Sequence, residues 1–389
     1  MYPTISYALK DLFGIDIQLP IQSFGFFMAL SFIIAALILS KEIKRKTSAG
    51  LLPLRFRTVV KGKAASASEL IFTALIAFVI FYKAGNILFN YSAFSADPQA
   101  GLISLLGSWP AGLVGAAAAT GLRYYEKKKA LLPQPKTELI PIEPFNTVSD
   151  ITLLAALFGL LGAKLFDNFE HWDDFVHHPI EALLSFSGLT FYGGLIFGAG
   201  IVVWYSVKNK LPLVTMADAV APSLMLAYGM GRVGCHVAGD GDWGIQNLSE
   251  KPSWFFLPDW AWAYRYPHNV LDEGVAIDQC DGRFCHQLQF PVFPTPFYEA
   301  SICILLFFVI WFFRKRIKTP GLLFVLYLAL NGVERFLVEL IRVNERYHAF
   351  GIAFSQAEMI AVLLIASAAL LPFLLPRMKG GIWLKENDS

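Results

Sequence analysis

Charge is what this chain has least of: Asp, Glu, Lys and Arg make up 16% of its 389 residues. A soluble domain carries about 25%, so the deficit excludes an ordinary water-soluble globule. The charge that is present nearly cancels, to a net +2, and no basic block is interleaved with aromatics. That leaves no electrostatic footprint for a nucleic acid. Only four cysteines occur. Repeats of fixed period and low-complexity tracts are absent. A cleavable signal peptide is not expected either. Residues 1–20 hold charges and two prolines, and no small-residue cleavage pattern follows the first apolar run.

Apolar residues fill the space left by charge. They reach 56% of the chain, with 34 Phe and 9 Trp, and mean hydropathy is +0.52. This composition predicts an integral membrane protein with aromatic belts. Windows long enough to cross about 30 Å of hydrocarbon fall near 21–40, 68–89, 101–122, 150–168, 182–206, 212–235, 297–313, 320–341 and 354–376, about nine in all. Every second loop is basic: Lys41 to Lys63 after the first window, Arg123 to Lys129 after the third, Lys208 and Lys210 after the fifth, Arg314 to Lys318 after the seventh. The fold class expected is therefore all-α, a polytopic transmembrane bundle forming one integral membrane domain over 1–389. Its N-terminus and an irregular 236–296 loop lie outside, and its C-terminus is cytoplasmic. Residues 68–122 read as an inserted transmembrane hairpin between basic, proline-containing connectors at 41–66 and 123–146. Lys83 is its main internal charge, and GLVGAAAATG supplies small residues for close helix packing.

Residues able to do chemistry gather after residue 160. GMGRVGCHVAGDGDWG, residues 229–244, places Arg232, Cys235, His236, Asp240 and Asp242 among six glycines where an apolar run ends. An ionisable residue at membrane depth is a functional candidate, and the arginine fork suits a phosphate. The alternative is a helix end with a snorkelling arginine. GAKLFDNFEHW, residues 162–172, sets Lys164 at a membrane edge, with Asp167, Asn168 and Glu170 either functional or an ordinary interfacial rim. In 178–200, Tyr192 precedes Gly193 and Gly194. Its hydroxyl either meets a ligand or bonds a neighbouring helix. In 331–348, Glu334, Arg335, Glu339, Arg342, Glu345 and Arg346 crowd one end of a span. Arg335, Glu339 and Arg342 have the spacing of a plus–minus–plus row on one helical face, either orienting an arginine or forming a self-neutralising ladder. Two arginines from different helices suggest a site for an anionic lipid phosphate, whose departing charge such a clamp stabilises.

Cys280 and Cys285 share the exterior loop, where an oxidising compartment favours a disulfide. Free thiols, or a metal site with His286, are the other readings. Cys303 lies within an apolar span and reads as a small core residue.

These places, in this order, resemble the prolipoprotein diacylglyceryl transferase family. The resemblance runs from about Asp150 to Leu371, with an echo at PIQSFGFFMALSF in the first window. GAKLF matches a family segment with Lys164 at its arginine. HPIEALLSFSGLTFYGGLIFG, GRVGCHVAGDGDWG, PTPFYEA (294–300) and NGVERFLVELIR match four more. The family moves the diacylglyceryl group of phosphatidylglycerol to the lipobox cysteine thiol of a prolipoprotein signal peptide, in the bacterial cytoplasmic (inner) membrane. The resemblance implies no cofactor and no metal. It puts Arg232 and Arg335 at essential arginine positions, with Glu339 and Arg342 orienting the second. Lys164, Gly193, Gly194, Asp240, Tyr298 and Glu299 fall at substrate-binding positions. The family's histidine before the glycine pair is Tyr192 here, a poor base but a hydrogen-bond donor. His236 can stand in as base if it turns inward, although Cys235 and His236, being adjacent, need not face each other. Cys235 and Ala238 replace two asparagines of the signature, Asp240 falls near its glutamate after a one-residue insertion, and Phe24 replaces a tyrosine. Two other readings remain: a lipid-headgroup enzyme with a different acceptor, and a non-catalytic lipid-binding or transport protein. The last predicts inverted repeats around a midplane site, and neither is visible.

Overall fold

Long apolar runs, several opened by a serine cap, make this chain helical for most of its length. The computed structural model describes residues 1–53, 56–96, 98–142, 144–184, 190–280, 282–344, 346–349 and 352–375. In chain order they form α1 (Ile5–Phe13), α2 (Ser23–Ser48), β1 (Phe56–Lys61), α3 (Ala67–Phe89), α4 (Tyr91–Ala96), α5 (Pro98–Ile103), α6 (Trp109–Lys129), β2 (Lys136–Pro141), α7 (Pro144–Glu170), α8 (Trp172–His177), α9 (Pro179–Leu184), α10 (Phe191–Lys208) and α11 (Leu213–Ala238). There follow β3 (Val275–Ala276), β4 (His286–Gln287), α12 (Thr295–Phe313), α13 (Leu322–Glu339), β5 (Arg346–Ala349), β6 (Ile352–Ser355) and α14 (Gln356–Leu374). Among the described residues six helices are long and apolar enough to cross a membrane: α2, α3, α7, α11, α12 and α14.

The chain is mostly helical rather than all-α. Three two-stranded antiparallel ladders, β1–β2, β3–β4 and β5–β6, interrupt it, and among the described residues they close no barrel. The expected 101–122 window is also broken, since its helix begins only at Trp109. Ser108 caps it by accepting from the Ala111 amide at 3.4 Å. The residues before it leave the helix because Lys83 needs partners. Its ammonium donates to the carbonyls of Gly101 (3.5 Å), Ser104 and Leu106 (3.2 Å). An unpaired lysine in an apolar segment costs more than a few broken helical bonds. The 182–206 window divides between α9 and α10, with residues 185–189 outside the described residues. Residue 376 of the last window also lies outside them.

Two compact units are distinguished. One comprises Met1–Pro53, Pro144–Phe158 and the chain from Phe197 onward; the other comprises Leu54–Glu143 and Gly159–Ile196. In the first, α11 is the central helix. It packs on α2, α12 and α13, and 56% of its apolar window is buried, against 17% for α2 and for α14. Gly229 lets α12 close in, for a Cβ there would stand 3.1 Å from that of Cys303, the packing that small residues permit in lipid. Met225, Cys303, Phe307, Ile310 and Leu323 form one buried core, and Leu39, Ile43, Val148, Ile151, Tyr205 and Met216 another. Outward side chains such as Phe26, Ile33 and Leu37 of α2 are exposed, as a lipid-facing surface requires.

In the second unit α3 and α6 pack as a hairpin, and β1 and β2 form an antiparallel ladder. Gly112 and Gly115 of α6 meet the rings of Phe78 and Phe81. Glu69 ties the base together by pairing with Arg123 at 2.7 Å and Lys127 at 3.1 Å. The ladder is formed from the two segments that read as connectors in the sequence.

Candidate active site

The site is assembled by backbone stitches in the first unit. α11 ends at Gly239, whose φ of +65° makes a left-handed cap, a conformation glycine adopts without strain. Four residues after Asp240, the Gly244 amide donates to the Phe293 carbonyl at 2.9 Å, and the Ile245 amide to the Ile341 carbonyl at 2.9 Å. A Cβ on Gly244 would stand 2.5 Å from the Ile341 oxygen, so this approach requires glycine. The end of α11, the start of α12 and the end of α13 are thereby joined.

Glu299 is the centre of the resulting cluster. It has no exposed surface. Its Oε2 accepts from the Tyr228 hydroxyl at 2.7 Å and lies 2.7 Å from Nε of Arg232 and 3.5 Å from a terminal nitrogen of Arg335. Its Oε1 takes Arg342 at 3.2 Å. Asp242 pairs with Arg232 and, at 2.5 Å, with Arg342. Arg335 also reaches Glu339 at 3.1 Å, and Asn344 donates to the other oxygen of that carboxylate. Three arginines and three carboxylates thus offset one another, the condition for keeping so many ions out of water.

The pairing leaves both acceptors and donors over: among the described residues, both carboxylate oxygens of Glu334 and Oε2 of Glu339 are buried without a hydrogen-bond partner. Among the described residues, Nη1 of Arg335 and Nε of Arg342 are buried without a hydrogen-bond partner. The Arg335 nitrogen is within ion-pair reach of Glu299 but lacks hydrogen-bond geometry. Buried guanidinium donors left unsatisfied are rare unless a further acceptor is to arrive. Burial raises the pKa of Asp242, but Arg232 and Arg342 outweigh it and hold that carboxyl below the usual range. Asp240 goes the other way, raised by burial and then by the neighbouring charge of Asp242.

Several expectations change in the folded chain. The plus–minus–plus row is only half present: α13 stops at Glu339, so Arg342 lies past the helix end and binds Asp242 and Glu299 instead. Asp242 is the carboxylate on Arg232. Tyr298 sits apart from the ions, its hydroxyl donating to the Ala261 carbonyl at 2.6 Å. Cys235 and His236 face different neighbours. Cys235 is buried with its sulfur 3.9 Å from Arg232. The His236 ring lies within 5.7 Å of Trp260, Tyr266 and Phe297, with Nδ1 3.3 Å from the Tyr266 hydroxyl. The Cys235 thiol and the carboxylates of Asp240 and Asp242 lie within 4.8 Å of one another, the one grouping with a metal donor set among the described residues. Asp242 in that grouping is already engaged by two arginines. Farther along the loop Cys280 and Cys285 form a disulfide with Cα atoms 5.6 Å apart.

The other candidate residues belong to the second unit. Lys164 lies 3.8 Å from Asp167, one turn along α7. Gly193 is a packing residue: a Cβ there would stand 2.3 Å from the Gly162 carbonyl, and one on Gly194 3.2 Å from that of Gly159. Tyr192 is the second residue of α10 and is half-buried. In the first unit the Phe24 carbonyl oxygen lies 3.5 Å from where a Gly234 Cβ would be.

A family model described as "Prolipoprotein diacylglyceryl transferase" matches residues 111–374. The chain belongs to the prolipoprotein diacylglyceryl transferase family. Curated relatives named phosphatidylglycerol–prolipoprotein diacylglyceryl transferase agree. That of Leptospira interrogans (strain Fiocruz L1-130) is 30% identical over 291 residues, covering 62% of this chain and 82% of its own. That of Dehalococcoides mccartyi (strain ATCC BAA-2266) is 29% identical over 238 residues, covering 60% and 78%. That of Corynebacterium glutamicum (strain ATCC 13032) is 30% identical over 236 residues, covering 59% and 70%. Six apolar helices together with this diacylglyceryl transferase family make the chain a multi-pass membrane protein. Two members of the Glu299 cluster escape a motif reading of the family. Tyr228 looks like an ordinary span residue, and its place four residues before Arg232 is the only signal for it. Asp242 stands out as an ionisable residue of 229–244, but no family motif position gives it a role.

Proposed function

We propose that this chain transfers the diacylglyceryl group of phosphatidylglycerol to the lipobox cysteine of prolipoprotein signal peptides. Membership of the transferase family supports the reaction, and the buried, unsatisfied donor of Arg335 beside Arg232 is the observation that carries the assignment of the site. Both guanidiniums approach one carboxylate oxygen of Glu299, so a single phosphate displacing part of that contact meets both forks. The thiol sulfur attacks the glyceryl carbon attached to the phosphate. A carbon–sulfur bond forms, the carbon–oxygen bond to phosphate breaks, and glycerol phosphate leaves with the electron pair. Arg232 and Arg335 offset the charge that gathers on it. The thiol proton leaves through His236, Tyr192 or water. Glu299, Glu339 and Arg342 are positioning residues, and Tyr192 keeps the place of the motif residue before the glycine pair.

The same reading gives nine crossings, with α6, α10 and α13 joining the six apolar helices. The alternation of basic loops supports an N-terminus and the 236–296 loop outside, a C-terminus inside and residence in the bacterial cytoplasmic membrane. The test is transfer from phosphatidylglycerol to a lipobox peptide by purified protein. Arg232→Ala and Arg335→Ala should each lower it by about a hundredfold or more; undiminished transfer refutes the clamp. A Tyr192→Phe variant in the same assay reports the contribution of its hydroxyl.

A further inference from the structure

At the other end of α11 the first unit holds a second cationic site that the transfer reaction does not use. Asp218 precedes Arg232 by fourteen residues, about 21 Å along the helix at 1.5 Å per residue. There a cavity of about 300 Å³ is lined by Arg45, Lys46, Arg314, Lys315 and Lys318. Two carboxylates serve this cluster, and both are spent. Fully buried Glu42 pairs with Arg45 at 2.8 Å and with Arg314. Asp218 accepts the amides of Gly321 and Phe324 at 2.8 and 2.9 Å, capping α13, and sits 3.7 Å from Lys46. Lys315 and Lys318 have no carboxylate within 4 Å among the described residues and are exposed at the rim. The cavity therefore keeps an excess of positive charge around a concave space, with the buried Thr215 of the first turn of α11 in its wall.

Ordinary positive flanks of membrane helices snorkel outward singly. Here Arg314 is fixed against the Trp311 ring and Lys46 is buried with only 6% of its side chain exposed, so the cations converge on the cavity. We infer that this cavity binds a phosphate ester, either the headgroup of an anionic phospholipid or a small soluble phosphate. The inference does not rest on the transferase reading, because none of these residues belongs to the Arg232 cluster.

The test compares the full chain with two charge-matched double variants. Lys315→Gln/Lys318→Gln removes two lining cations, and Lys44→Gln/Arg316→Gln removes two exposed neighbours outside the cavity. One arm titrates inorganic phosphate and follows the thermal unfolding temperature in detergent. The other reconstitutes the proteins in nanodiscs of phosphatidylcholine with or without phosphatidylglycerol and counts retained anionic lipid by native mass spectrometry. The Lys315/Lys318 variant should lose at least about tenfold in apparent affinity in one arm, while the control pair changes by less than about twofold, as screened surface charges do. Loss confined to the lipid arm assigns a headgroup; loss confined to the phosphate arm assigns a soluble ester. Equal losses in both variants, or no loss in either arm, overturn the site.

Discussion

Nε of Arg232 lies 2.7 Å from Oε2 of Glu299, a carboxylate with no exposed surface. Because Arg335 and Arg342 approach the same carboxylate, removing its charge leaves three buried guanidiniums under-compensated. Glu299→Gln should therefore destabilise the protein by about 3 kcal/mol or more, the cost of breaking a buried pair from one side. Thermal unfolding in detergent measures it, and an unchanged midpoint would count against Glu299 as the organising charge.

Two carboxylates of the DGD triplet should respond to mutation with opposite signs. Asp242, held below the ordinary range by Arg232 and Arg342 after burial is offset, contributes stability that is present above about pH 4 and lost as pH falls through its lower folded value. Asp240, raised by burial, is ionised at a cost at neutral pH, a cost that disappears when it protonates. At pH 7 Asp242→Asn should lower the unfolding midpoint and the transfer rate, whereas Asp240→Asn should leave the midpoint level or higher. The same ranking for both variants contradicts the assignment.

Arg335 spans two acceptors, Glu299 at 3.5 Å and Glu339 at 3.1 Å. A lysine offers a point charge in place of a planar fork. Arg335→Lys should fold and bind phosphatidylglycerol yet transfer at about a tenth of the rate or less, as bidentate geometry is lost. Full activity in the lysine variant would show that charge alone suffices there.

Gly193 tests the second unit by itself. An alanine methyl would meet the Gly162 carbonyl at 2.3 Å, and overpacking of this kind costs about 1–3 kcal/mol. Gly193→Ala should lower the unfolding midpoint accordingly. A neutral effect would mean that α7 and α10 separate at little cost.

Hydropathy made the long helices legible, because an apolar stretch of about 20 residues states its own length and environment. It failed at 104–108, where the deciding contact is Lys83 reaching carbonyls about twenty residues away. Window averages hold no such term, although the Ser-Trp-Pro start of α6 is itself a cap signature. The arginines were legible for the same reason that they are costly. Their partners were less so: Arg335 and Glu339 are a local helical pair, but Asp242 meets Arg342 across 100 residues through a turn stitched at Gly244. Spacing rules assumed that the helix went on past Glu339, and it does not.

The arginine forks are not bare. Asp242 and Glu299 occupy them, so any anion that enters must evict a resident carboxylate rather than meet free cations. Its affinity is then the difference between two ion pairs, not the strength of one. A doubly charged or well-shaped phosphate gains from the exchange, and a weak anion such as chloride gains little. The same residents compete for the forks after transfer, so the phosphate product is held less tightly than bare arginines would hold it.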